Sequence, residues 1–122
     1  MVRIGNHLKM NVAPEVRERA RAFYGDLLGC RRIDSGRDDL DLYEFSGGFV
    51  LGLFFVPADE ILPDADYERA TWMELKVDDP AAWKMRLQAF GVREIAYPDP
   101  TRFFFAAPGG QVFRLAPLDG GL

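Results

Sequence analysis

Polar and apolar residues alternate strictly over residues 7–12 (HLKMNV), with Leu8, Met10 and Val12 on one side and His7, Lys9 and Asn11 on the other. Such alternation predicts a half-buried strand. Residues 72–77 (WMELKV) repeat it, setting Met73, Leu75 and Val77 against Trp72, Glu74 and Lys76. A proline follows each strand, Pro14 and then Pro80, and suits the first turn of a helix; Asp78 or Asp79 is a fitting N-cap. The period then changes. Ala20, Phe23, Tyr24, Leu27 and Leu28 recur at helical spacing up to Gly29, and Trp83, Leu87 and Phe90 do so up to Gly91. These stripes predict core packing. Three strands should follow each helix, at about 30–35, 39–45 and 49–56, then at about 92–97, 102–107 and 111–116. Gly47-Gly48 and Gly109-Gly110 supply the last turns.

The chain repeats itself. GCRRI at 29–33 answers GVREI at 91–95, and SGGFVLGL at 46–53 answers PGGQVFRL at 108–115, both at an offset of 62. Met10-Asn11-Val12 and Leu75-Lys76-Val77 match at an offset of 65, which places three extra residues before the first helix. The expected architecture is α+β: two βαβββ modules, about 4–56 and about 71–117, forming curved mixed sheets around a cleft with helices outside. Together they make one domain over 1–122. Pairing of the modules within the chain or across a dimer stays open. Residues 57–70 (PADEILPDADYERA) carry five acids and two prolines with no steady period, and predict a surface connection or lid.

Composition narrows the function. A chain of 122 residues, 48% hydrophobic, builds one core without staples. A net charge of −4 excludes the basic face that nucleic acid needs. No apolar run is long enough to span a membrane, and the opening residues hold no signal peptide, so a cytoplasmic protein is expected. The single cysteine, Cys30, forms no disulfide framework or zinc cluster and predicts inert packing. Arg17, Arg19 and Arg21, interleaved with Glu15 and Glu18, predict a solvated helix face.

Alternation and the repeat together mark four equivalent inner positions: His7 and Trp72 in the first strands, Gly52 and Arg114 in the last. Lys9, Asn11, Glu74 and Lys76 share that face. One imidazole is not a metal site: an indole N–H only donates, a guanidinium cannot ligate, and glycine offers no side-chain donor. No metal and no cofactor are expected. His7 or Glu74 would serve as acid–base, Arg114 as an anion anchor or as the ion-pair partner of Glu74, and Trp72 as a stacking surface. Alternate members of Phe103–Phe105 would add an apolar wall.

The segments HLKMNV, ARAFYGDLLG (20–29), KVDDPAAW (76–83) and APGGQVFRL (107–115) resemble the vicinal oxygen chelate superfamily. It includes glyoxalase I, extradiol dioxygenases, fosfomycin resistance enzymes and bleomycin resistance proteins. The resemblance spans nearly the whole chain. In metal-dependent members the four inner positions supply His, Glu, His or Gln, and Glu. The resemblance makes His7 the first ligand, while Gly52, Trp72 and Arg114 depart from the pattern. It implies a small-molecule-binding homodimer with the metal site lost, as in the bleomycin resistance branch. The ligand would carry a carboxylate or aromatic group and meet Lys9, Asn11, Gly52, Trp72 and Arg114. The alternatives are a metal-independent lyase or isomerase using His7 or Glu74 with Arg114, a metal-dependent lyase or dioxygenase with atypical ligands, and an association module with a vestigial cleft.

Overall fold

The computed structural model describes residues 1–97 and 99–121. The chain divides into two units, Met1–Ile61 and Leu62–Leu122. In the first, the alternating segment is β1 (His7–Val12), and Pro14 opens a helical run in three parts: a 3-10 turn (Pro14–Val16), α1 (Arg17–Ala20) and a π-helical stretch (Arg21–Leu27). The wide turn closes where the amide of Leu28 donates to the carbonyl of Phe23 at 2.9 Å. Strands β2 (Arg31–Ile33), β3 (Leu40–Glu44) and β4 (Val50–Phe55) follow, then a 3-10 turn at Ala58–Glu60.

The second unit opens with α2 (Asp64–Ala70) and β5 (Trp72–Val77). Next comes α3 (Pro80–Phe90), capped by the Asp79 carboxylate, which accepts from the Ala82 amide at 3.1 Å. Gly91, at φ 95°, ends it in the left-handed conformation that glycine adopts without strain. Strands β6 (Arg93–Ile95), β7 (Phe104–Ala106) and β8 (Val112–Pro117) complete the unit.

Each unit is a βαβββ module with one four-stranded mixed sheet, ordered β1-β4-β3-β2 in the first and β5-β8-β7-β6 in the second. The α+β fold with two repeated modules is as expected. The registers repeat too. His7 pairs with Val50 and Trp72 with Val112 in the parallel ladders, while Leu42 faces Gly52 and Phe104 faces Arg114 in the antiparallel ones. Phe23, Tyr24, Tyr43, Leu51 and Leu53 are fully buried in the first core, as are Leu87 and Phe105 in the second. Alternation therefore sends Tyr43, Leu51 and Leu53 of β3 and β4, and Phe105, Phe113 and Leu115 of β7 and β8, toward the helix in each module.

Two expectations need correction. The three extra residues of the first half lie inside its helix and not before it: stretches of three, four and seven residues exceed the eleven of α3 by three. The π-helical stretch absorbs the excess. The connection 57–70 is also no featureless loop. It holds the Ala58–Glu60 turn and α2, and the unit boundary falls between them. Helix α2 is fastened to the second unit: Glu68 pairs with Arg93, the Tyr97 hydroxyl donates to the Glu68 carbonyl at 3.1 Å, and Tyr67 lies on Gly110. A side chain at Gly110 would meet the Tyr67 ring at 2.8 Å. Among the described residues no helix is long and apolar enough to cross a membrane.

Candidate functional site

In the first unit, His7, Lys9 and Asn11 share the sheet face opposite the helix with Gly52, Leu40 and Leu42. The Lys9 ammonium lies 3.0 Å from His7 Nδ1. An ammonium only donates, so Nδ1 accepts and the imidazole proton sits on Nε2. The stem of Lys9 crosses Gly52. A methyl built there would lie 2.9 Å from Lys9 Cγ and 3.1 Å from Leu42 Cδ2, so the backbone at position 52 is roofed by alkyl groups. Asn11 is drawn away as well, its Nδ2 donating to the Glu60 carbonyl at 3.4 Å.

The second unit presents a different face. Parallel pairing puts Glu74 beside Arg114, and Nη2 of Arg114 donates to the Glu74 carboxylate. The same carboxylate lies 4.0 Å from Lys76 Nζ, which also donates to the Gly120 carbonyl at 2.6 Å. The Arg114 guanidinium sits 4.6 Å from the centre of the Trp72 ring, with Asp99 Oδ2 at 3.9 Å from its other terminal nitrogen. Its Nε is buried with no hydrogen-bond partner among the described residues. Trp72 meets Phe104 edge to face at 5.6 Å, and Tyr97 stacks on Phe104 at 4.4 Å. The result is an aromatic tier carrying one half-buried cation.

The expected pairing of Arg114 with Glu74 is thus formed. Of Phe103–Phe105, Phe104 alone belongs to this face; Phe103 stacks on Phe105, and Phe105 on Phe113, on the helix side. Sequence reasoning missed Tyr97 and Asp99. Both lie between β6 and β7, where no period marks a direction.

The side chains at the four repeat-equivalent positions do not fit a divalent metal. The one imidazole has its free lone pair engaged by an ammonium, Gly52 is roofed, and Trp72 and Arg114 offer no lone pair. Among the described residues no group of three His, Cys, Asp or Glu side chains is placed to hold a metal ion.

A second polar cluster lies on the helix side of the first sheet. Asp41 is 4% exposed, and it accepts from Arg21 Nε at 2.9 Å, Arg21 Nη2 at 3.0 Å and the Tyr43 hydroxyl at 2.9 Å. Burial raises its carboxyl, but the bonds from Arg21 and Tyr43 outweigh that and hold it below the ordinary carboxylate value. Arg21 is therefore no solvated helix residue, contrary to the expectation from its spacing. Cys30 is buried and its thiol is pushed up to about 12, mainly by desolvation.

No family model and no curated protein matches the chain. Solved structures do. The fosfomycin resistance protein FosX from Listeria monocytogenes superposes with a TM-score of 0.72 at 14% identity, covering 100% of this chain and 97% of that one. Glyoxalase I from Leishmania major gives 0.66 at 20% identity, over 95% of this chain and 87% of that one. A glyoxalase/dioxygenase from Nostoc punctiforme gives 0.66 at 20% identity, over 93% and 89%. The chain shares the fold of these fosfomycin resistance and glyoxalase structures, which is the fold that the motifs implied.

Proposed function

We propose that the chain binds a planar small molecule bearing a carboxylate or similar acceptor, by sequestration and without a metal, on the Trp72–Phe104–Arg114 face. One observation carries this reading: the buried Nε of Arg114, without a hydrogen-bond partner among the described residues, beside an aromatic tier. An N–H shut away from water without an acceptor costs about 1–3 kcal/mol, which a ligand oxygen recovers. The fold likeness to a fosfomycin resistance protein and to glyoxalases supports a small-molecule site in general terms. Acid–base catalysis by His7 or Glu74 draws less support, since Lys9 occupies the lone pair of His7 and Arg114 holds the Glu74 carboxylate. A homodimer belongs to the proposal, because β1 and β5 are edge strands whose Leu8 and Trp72 are each 40% exposed. So does a cytoplasmic location.

The test is a fluorescence titration with 2-naphthoate. The chain has two tryptophans, so Trp83→Phe isolates the signal of Trp72. Saturable quenching that a chelator leaves intact, weakened about tenfold by Arg114→Gln, is the expected result. No saturable response overturns the reading. One tightly held metal ion per chain, lost in His7→Ala, replaces it with the metal-dependent alternative.

A further inference from the structure

Four guanidinium groups line one pocket of about 200 Å3 in the first unit, where the β2–β3 hairpin turns beneath the helical run. Arg17 and Arg21 reach it from one helix face, four residues apart, and Arg32 and Arg37 reach it from the hairpin. The fold itself accounts for two of them. Arg21 grips Asp41 with two bonds, and Arg37 grips Asp39 with two, at 2.7 and 2.8 Å. The other two have no carboxylate within hydrogen-bond distance among the described residues. Arg17 donates to the Asp38 carbonyl at 2.7 Å and lies 4.1 Å over the Phe55 ring. The nearest carboxylate to Arg32 is that of Asp41, at 3.9 Å, whose oxygens already take three donors.

Asp34 and Asp38 also line the pocket, and one oxygen of Asp34 is held by the Gly36 amide. These carboxylates temper the charge, yet they leave the forks of Arg17 and Arg32 with donors to spare. Two planar forks on one cavity suit a tetrahedral dianion, which accepts from both, better than a carboxylate, which is satisfied by one. The volume equals that of about seven waters, enough for a phosphate and the first atoms of what it esterifies.

We propose that this pocket binds the phosphate group of a phosphomonoester or of free phosphate between Arg17 and Arg32. The site lies wholly in the first unit and does not depend on the ligand proposed for the Arg114 face. Calorimetric titration of the full chain with inorganic phosphate and with methyl phosphate, at constant ionic strength against chloride, tests it. Saturable binding is expected, and Arg32→Gln and Arg17→Gln should each weaken it about tenfold or more with the thermal midpoint kept. Arg86→Gln, exposed on α3 in the other unit, should change nothing. Tighter binding of methyl phosphate assigns an ester, and equal binding assigns free phosphate. Phosphate bound no better than chloride, or wild-type affinity in Arg32→Gln, overturns the proposal.

Discussion

The two modules share a backbone and divide polarity in opposite ways. At positions 62 apart, Asp41, Tyr43 and Leu51 of the first unit stand where the second has Phe103, Phe105 and Phe113, all on the helix side of the sheet. On the open side, Leu42 and Gly52 stand where the second has Phe104 and Arg114. The first unit therefore buries a charge under its helix and roofs its open face with alkyl chains. The second fills the helix side with stacked rings and carries its cation on the open face. The repeat dictates which positions point which way. It leaves the chemistry at each position free, provided that a buried charge brings its partner with it.

The largest effect is expected from undoing that partnership. Arg21→Met leaves Asp41 buried with only the Tyr43 hydroxyl and the more distant Arg32 to face it, and should lower stability by about 3 kcal/mol in urea unfolding. Adding Asp41→Leu, which makes the first helix side resemble the second, should restore most of the loss. If the single variant unfolds at the wild-type midpoint, the contrast between the modules has no energetic content. A smaller effect is expected in acid. The folded value of Asp41 lies below its unfolded one, so its stabilisation is complete above the ordinary carboxylate value of about 4 and is lost as pH falls through the folded value. The double variant should show a shallower acid limb than the wild type. The smallest effect concerns the open face. Gly52→Ala must displace the flexible stem of Lys9, at a cost of about 1 kcal/mol. Nitrogen NMR of His7 should then report an Nδ1 that has lost its donor.

Much of this was legible in the sequence because strand alternation and a fixed offset carry direction directly. They put Glu74 on the same face as Arg114, and the parallel register then brings the two into contact. Alternation alone does not say which side of the strand at 39–45 faces the helix, so the burial of Asp41 beside Tyr43 was not legible. Its partner Arg21 lies 20 residues away on a helix whose Arg17, Arg19 and Arg21 read as one solvated run. The informative spacing was four, which joins Arg17 to Arg21 on one face. The lengthened helix was hidden for another reason, since a π-helical stretch absorbs added residues without altering either flanking strand. Helix α2 was hidden because its stability is tertiary: Tyr67 is its single aromatic anchor, and Gly110, Arg93 and Tyr97 lie far along the chain.

That fastening decides where the chain divides into halves. A fragment starting at Leu62 carries its own cover for the glycine turn and its own counter-ion for Arg93. One starting at Met73 would expose the backbone at Gly110 and strand that arginine. Split-protein reassembly, circular permutation and grafting of the second module onto another scaffold should therefore cut before α2, since this apparent connector is the first element of the half that follows it.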